Sequence, residues 1–415
     1  MVAMTRNEKI YKIFRPLGYD YFFYNVIIFL FYTVTKELSV SEVLYINSFY
    51  AACIFLLEIP LGYVVEKIGI RKSIILGGFC WILHCVIVIF SQNYLTIFLA
   101  QIPCAFGTGI KGLSETQMLY ASLKASNRTR EFSRVEGASV AKYYYLEAFF
   151  TIIVGYLFTV DEYLPIVLTL ILLVIAFLVS LNFEEVENKN KVTKLKDYVQ
   201  DSKIVLSSKR MRAIFFFCFV MSGVIGCMTT LQESLIVDLG VNPMVYSIIF
   251  AILTFCVGIG SKVQHLIEKH TKRKNLSVIG IAYAMTIILA GTFNYFNIID
   301  KNVLLVITVV FLFFQNTLQG TYRISAKKYL NHFTTSKVRG KILAFFYIFE
   351  NVGKTVFLFV AGYVMDFNKT STATIIMGMI TLTLVIFSIL FMKGRLGLDP
   401  EEYEPKDILY KDLSS

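Results

Sequence analysis

Charge is what this sequence has least of. Only 17% of its 415 residues are Asp, Glu, Lys or Arg, against about a quarter in an ordinary soluble domain. Histidine is nearly absent, with four copies. No phosphate-binding glycine loop and no Ser-His-Asp arrangement appears, so neither an enzyme nor a bound cofactor is expected. The seven cysteines (Cys53, Cys80, Cys85, Cys104, Cys218, Cys227 and Cys256) all fall in apolar runs without C-x-x-C spacing. They read as small buried hydrophobes, not as a disulfide framework or a metal site.

Apolar sequence is abundant. Hydrophobic residues make up 56% of the chain and the mean hydropathy is +0.64. They lie in blocks of about 20 residues, the length that crosses the hydrocarbon of a bilayer. Twelve such runs are predicted: 17–34, 43–65, 74–90, 95–119, 135–160, 164–181, 213–239, 245–266, 276–295, 303–322, 338–365 and 373–392. The expected fold class is therefore an all-α integral membrane protein with twelve transmembrane helices in two pseudo-symmetric six-helix bundles. The bundles are expected at 1–183 and 213–415. They are joined over 184–212 by a cytoplasmic linker, either solvated or an amphipathic helix on the inner membrane face. The first run lacks a small-residue cleavage site and is expected to remain as an anchor.

The net charge of +11 does not point to nucleic acid, because no basic domain stands apart from the spans. Basic residues cluster in the gaps before span 1 (Arg6, Lys9, Lys12, Arg15) and after spans 2, 4, 8 and 10. The other gaps hold little beyond Lys36, Lys301 and Lys369. That asymmetry places both termini in the cytoplasm, in a bacterial cell membrane. A weak internal repeat supports duplication. Glu66-Lys67 and Arg71-Lys72 after span 2 are echoed by Glu268-Lys269 and Arg273-Lys274 after span 8, and Gly155-Tyr156 by Gly362-Tyr363.

The segment Gly62-Tyr63-Val64-Val65-Glu66-Lys67-Ile68-Gly69-Ile70-Arg71-Lys72 resembles the signature between helices 2 and 3 of the major facilitator superfamily. With Glu58-Ile59-Pro60 before it and the Leu119-Tyr120-Ala121-Ser122-Leu123 element, the chain is similar to a drug-efflux-like bacterial branch. Glu66 stands for the usual aspartate, Ile70 for a basic residue and Ala121 for an aspartate. Span 5 lacks the Gly-Pro motif of antiporters. The resemblance implies alternating access and proton-coupled export of a small amphipathic organic solute, with Gly62, Glu66, Lys67, Gly69 and Arg71 forming a cytoplasmic gate. Glu66 is expected to cap a helix N-terminus or pair with Arg71, and Gly62 to allow close helix packing.

Ionisable groups inside spans are costly, about 2.5 kcal/mol or more at mid-membrane, and so mark a cavity by default. At about 1.5 Å per residue, Glu147 and Glu350 lie roughly 18 Å from the cytoplasmic ends of spans 5 and 11. They are expected, with Lys142 and Lys354, to form a substrate or proton site joined by Glu233, Gln232, Gln315, Asn316, Gln319 and Asn25. Lys354 is one helical turn from Glu350, within reach of an ion pair. Asp20, Glu58, Lys111 and Glu115 are further intramembrane charges. The expected partners are a small-molecule substrate, protons and the lipid bilayer, with the chain acting as a monomer. Two alternatives stand beside export: import or facilitation of a small metabolite, an anion among the candidates, and a transporter-like ligand sensor without flux.

Overall fold

The structure is a computed structural model describing residues 6–186, 209–271, 274–296, 300–332 and 339–392. The described residues are helical almost throughout. A chain in oil must satisfy its backbone polar groups internally, and the helix does so within one segment. The principal helices are α1 (Arg6–Leu17), α2 (Val40–Ile68), α3 (Ile70–Phe90), α4 (Tyr94–Ala125), α5 (Phe132–Val160), α6 (Leu164–Ser180), α7 (Lys209–Asp238), α8 (Pro243–Thr271), α9 (Asn275–Phe296), α10 (Lys301–His332), α11 (Arg339–Phe367) and α12 (Thr370–Met392). Among the described residues nine helices are long and apolar enough to cross a membrane, and Leu164–Ser180 is a shorter apolar helix. The protein is thus a multi-pass, all-α membrane protein. Most of the expected 184–212 linker, residues 187–208, lies outside the described residues.

Local chemistry fixes several helix ends. Ser39 caps α2 in a capping box, accepting the Glu42 N–H at 3.2 Å while the Glu42 carboxylate accepts the Ser39 N–H at 2.8 Å. Asn93 caps α4 through the Thr96 N–H at 2.9 Å. Pro165 sits in the first turn of α6, where its missing N–H costs nothing. Gly69, at φ +92°, ends α2 and begins α3, a backbone conformation that disfavours any side chain.

The expected continuous helix over 17–34 is not found. α1 ends at Leu17, residues 18–27 run through bends and turns, and the helix resumes only at Ile28–Leu30 and a π-helical turn, Phe31–Thr35. Pro16 and Gly18 flank the stop, and both favour a helix end. Side chains occupy the freed backbone groups. Lys111 donates to the Gly18 carbonyl at 2.6 Å, Thr169 accepts the Phe23 N–H at 3.2 Å, and the Asp20 carboxylate accepts the Tyr21 N–H at 2.8 Å.

The described residues form two compact units, one within Met1–Val192 and Asn242–Ile248, the other within Thr193–Val241 and Ile249–Ser415. In the first, α4 lies against α2 and α3, α6 against α3, and α1 against α4, α5 and α6. Tyr11, Phe14, Ile74, Met118, Leu123 and Phe183 form a shared buried cluster. In the second, α7 lies against α11 and α12, and α9 against α10 and α12.

Candidate functional site

In the second unit, α7 and α11 approach backbone to backbone. A Cβ at Gly353 would strike the Phe219 carbonyl, and one at Gly223 would meet the Gly353 carbonyl at 2.7 Å. One turn along, Gly226 leaves room for the aliphatic stem of Lys354. This seam brings Ser222 on α7 beside Glu350 on α11, and the Ser222 hydroxyl donates to Glu350 Oε1 at 2.8 Å. The buried Tyr322 hydroxyl of α10 lies 3.2 Å from Ser222 Oγ and donates to the Cys218 carbonyl at 3.4 Å. These groups open on a cavity of about 230 Å³ whose polar wall is Ser222, Tyr322, Arg323, Lys327, Glu350 and Lys354. Ile225, Ala326 and Phe346 complete it. Lys354 lies within electrostatic reach of both Glu350 and Arg323. Among the described residues no carboxylate is within salt-bridge distance of Arg323, Lys327 or Lys354. The one-turn spacing of Glu350 and Lys354 therefore yields proximity without an ion pair.

Elsewhere in this unit the Asn316 amide of α10 donates to Gln232 Oε1 of α7 at 3.2 Å. Gln315 is fully buried beside Tyr283. Glu233 is buried next to Gln232, and Gln319 is half-buried. None of these five lines the cavity described above.

The first unit carries its own polar centre around the interruption of helix 1. Glu147 on α5 accepts the Tyr143 hydroxyl at 2.7 Å and lies near the Asn25 amide and Asp20. Lys142, on the same helix, is exposed and does not join them. Below the break, Arg15 is held between Glu115 of α4 and Glu136 of α5, the latter at 2.9 Å. Tyr11 donates to Glu136 at 2.5 Å. Lys111 stands 3.6 Å from Glu115, with its ammonium 3.3 Å above the Trp81 ring. Glu58 on α2 is half-buried, and its Oε2 has no hydrogen-bond partner among the described residues.

In the first turn of α1, Glu8 accepts Lys12 and Arg128, each at 2.8 Å. Burial pushes its carboxyl up, but the two cations outweigh it and hold it below the usual carboxylate range.

At the signature loop the structure corrects two expectations. Glu66 caps nothing and is exposed. The carboxylate of Glu185, beyond α6, accepts the N–H groups of Ile70 and Arg71 at 2.9 and 3.3 Å. Arg71 donates to the Leu181 carbonyl at 2.8 Å instead of pairing with Glu66. A Cβ at Gly62 would meet open space, so close packing does not explain that glycine here. Lys67 is exposed.

Among the participants that sequence reasoning missed are four charged side chains. Glu185 lies in the polar segment after α6, 115 positions from its partner. Arg15 and Glu136 read as charges outside the runs at 17–34 and 135–160 or at their very edge, and Arg323 as the first residue past the run at 303–322. Among the described residues no cluster of three His, Cys, Asp or Glu side chains could hold a metal ion.

The Major Facilitator Superfamily matches this chain over residues 17–308 and 228–408. No curated protein matches it by sequence. Among solved structures it is similar to the nucleoside transporter NupG, with a TM-score of 0.74, 13% identity, and coverage of 94% of this chain and 100% of that one. It is also similar to a POT family transporter in complex with 5-aminolevulinic acid, with a TM-score of 0.65, 10% identity, and coverage of 94% and 96%. A POT family transporter with a thioalcohol-conjugated peptide gives a TM-score of 0.66 at 11% identity, again covering 94% and 96%. At these identities the likeness is one of fold. These similarities correct the expectation of drug-efflux-like export. The folds that this chain shares belong to proteins named for a nucleoside or holding 5-aminolevulinic acid or a thioalcohol-conjugated peptide.

Proposed function

Because the chain belongs to the Major Facilitator Superfamily, and is therefore a secondary transporter and not an enzyme, we propose that it takes up a small polar solute across the cell membrane by alternating access, coupled to protons. The observation that carries this reading is the cavity of the second unit, where Glu350 and Lys354, one turn apart on α11, line a space also bounded by Ser222, Tyr322 and Arg323. A carboxylate beside a lysine at the wall of a wetted cavity can gain or lose a proton as solute enters or leaves. At about 230 Å³ the cavity is smaller than the roughly 300–1,000 Å³ that encloses a drug-sized ligand. It suits a small solute or its polar head. Nucleosides, amino acids and peptides are goods that a cell draws in, which supports the inward direction.

Within this reading the spans number twelve. The nine long apolar helices are joined by α4, α6 and the interrupted helix 1, whose irregular backbone is tolerable in a membrane only because protein groups satisfy it. The two units are six-helix bundles, 1–183 and 213–415, with 184–212 between them. Both termini face the cytoplasm by the lysine and arginine asymmetry, and the chain works as a monomer. In the first unit, Glu147 with Tyr143, Asn25 and Asp20 is a further candidate for a solute or proton site within this reading, and the α2–α3 loop is a cytoplasmic gate.

Proteoliposome uptake tests the proposal. Radiolabelled nucleosides, amino acids and dipeptides are offered outside vesicles with an alkaline interior. Accumulation of one class that collapses with a protonophore, and that Glu350→Gln uncouples from the gradient, is expected. Accumulation indifferent to both treatments would remove proton coupling. Absence of flux for every class would remove uptake.

A further inference from the structure

Three cations and one carboxylate meet at the cavity of the second unit. Arg323 and Lys327 stand one turn apart on α10, and Lys354 projects from α11 one turn beyond Glu350. Arg323 and Lys327 are exposed and Lys354 is half-buried, yet all three line one half-open wall together with Ser222 and Tyr322. Glu350 lies 11 residues into α11, roughly 17 Å from its start at about 1.5 Å per residue. Arg323 and Lys354 repel each other, and no described carboxylate within salt-bridge distance relieves them. The single acid on the wall already accepts the Ser222 hydroxyl at 2.8 Å.

Like charges held together around one cleft focus a positive potential that attracts an anion. The chemistry on the wall selects its kind. A guanidinium presents paired donors that match the two oxygens of a carboxylate or phosphate, an ammonium adds a compact charge, and hydroxyls supply neutral donors. At about 230 Å³ the cavity is ample for an oxyanion and the few atoms that carry it.

We propose that the cavity bounded by Arg323, Lys327, Lys354, Ser222 and Tyr322 binds a carboxylate or phosphate group of the transported solute, making the substrate an organic anion or a zwitterion with an exposed anionic end. This rests on the uptake reading given above and adds the chemical class of what is taken up. Arg323 and Lys354 clamp the oxyanion. Glu350, one turn from Lys354, is the acid on the wall that competes with the solute for that cation.

The test is binding to the purified full-length protein, reconstituted in phosphatidylcholine with or without phosphatidylglycerol. Thermal stabilisation is titrated with succinate, acetate, inorganic phosphate, a nucleoside monophosphate, a zwitterionic dipeptide and an uncharged nucleoside. A saturable shift with at least one oxyanion-bearing compound in phosphatidylcholine alone is expected. Arg323→Gln and Lys354→Gln should each weaken it by about tenfold or more, the loss of a charge-assisted contact. Arg323→Lys should restore part of it, and Lys301→Gln at the far end of α10 should leave it unchanged. The uncharged nucleoside should give no shift.

Three results overturn the assignment: no oxyanion in the set binds, an uncharged nucleoside binds with affinity indifferent to Arg323→Gln and Lys354→Gln, or only phosphatidylglycerol stabilises, which gives the site to a lipid headgroup. If oxyanions bind as expected but are not accumulated in vesicles, uptake fails while the anion site stands. If an uncharged solute is accumulated and oxyanions neither bind nor compete, the anion site fails while uptake stands.

Discussion

Lys111 and Gly18 stand 2.6 Å apart, ammonium to carbonyl oxygen, where the first apolar run stops being a helix. The lysine comes from α4, so a side chain 93 positions away satisfies an acceptor that the chain exposes by breaking. Trp81 covers its other side and Glu115 lies 3.6 Å away.

Replacing Lys111 with methionine keeps most of the stem and removes the donor. The Gly18 carbonyl is then buried without that partner, a loss of about 1–3 kcal/mol. Thermal unfolding in detergent should show a lower midpoint for K111M than for the parent protein. An unchanged midpoint would mean that the interruption is held by other contacts.

Arg15 bridges two acids from two helices, Glu115 and Glu136. Removing the arginine leaves both carboxylates short of a counter-charge, so Arg15→Gln should destabilise more than Glu136→Gln does. The double variant should recover part of the loss, with a coupling of about 0.5–3 kcal/mol. A double-mutant cycle on unfolding midpoints measures it. Strict additivity would dissolve the triad as an energetic unit.

Glu8 gives a pH dependence with a definite sign. Its carboxyl is held below the ordinary value of 4.5, with burial opposing and the hydrogen bonds from Lys12 and Arg128 prevailing. A depressed carboxylate stabilises the fold above its unfolded pKa and loses that contribution as pH falls through the folded one. Lys12, Arg128 and, through Arg128, Glu131 are the charged groups that face it or its partners. The midpoint difference between the parent and Glu8→Gln should therefore be largest near neutral pH and shrink below about pH 4. A difference that grows on acidification contradicts the assignment.

Glu185 caps the N-terminus of α3 from a distance. Glu185→Ala should cost about 0.5–2 kcal/mol, the usual range for a lost cap. Glu66→Ala, on an exposed neighbour, should fall within about ±0.5 kcal/mol. Parallel unfolding curves decide between them, and equal effects would return the cap to the signature residue.

The apolar runs were legible because the bilayer imposes one length on every crossing helix. The structure places a long helix at eleven of the twelve, from α2 at Val40–Ile68 to α12 at Thr370–Met392. Helix 1 escaped because the aromatic side chains of Tyr19–Tyr24 count as apolar, and such a count is blind to Pro16 and Gly18 acting together. Glu147 and Glu350 were readable from the cost of a charge in oil. Their neighbours were not: Ser222 and Tyr322 are ordinary residues until α7, α10 and α11 converge, and Arg323 carries no mark that separates it from a topological charge.

The seam between α7 and α11 has a mechanical consequence. Where Gly223 and Gly353 meet, the two backbones touch directly, and Phe357 is seated in the notch at Gly223 as the Lys354 stem is at Gly226. Glu350 and Lys354 ride on the same rod as Gly353. With α11 keyed into α7 in this way, the two rods are held in one register. The hydroxyl of Ser222 and both charges therefore belong to a single stiff wall, and a displacement of either helix carries all three together.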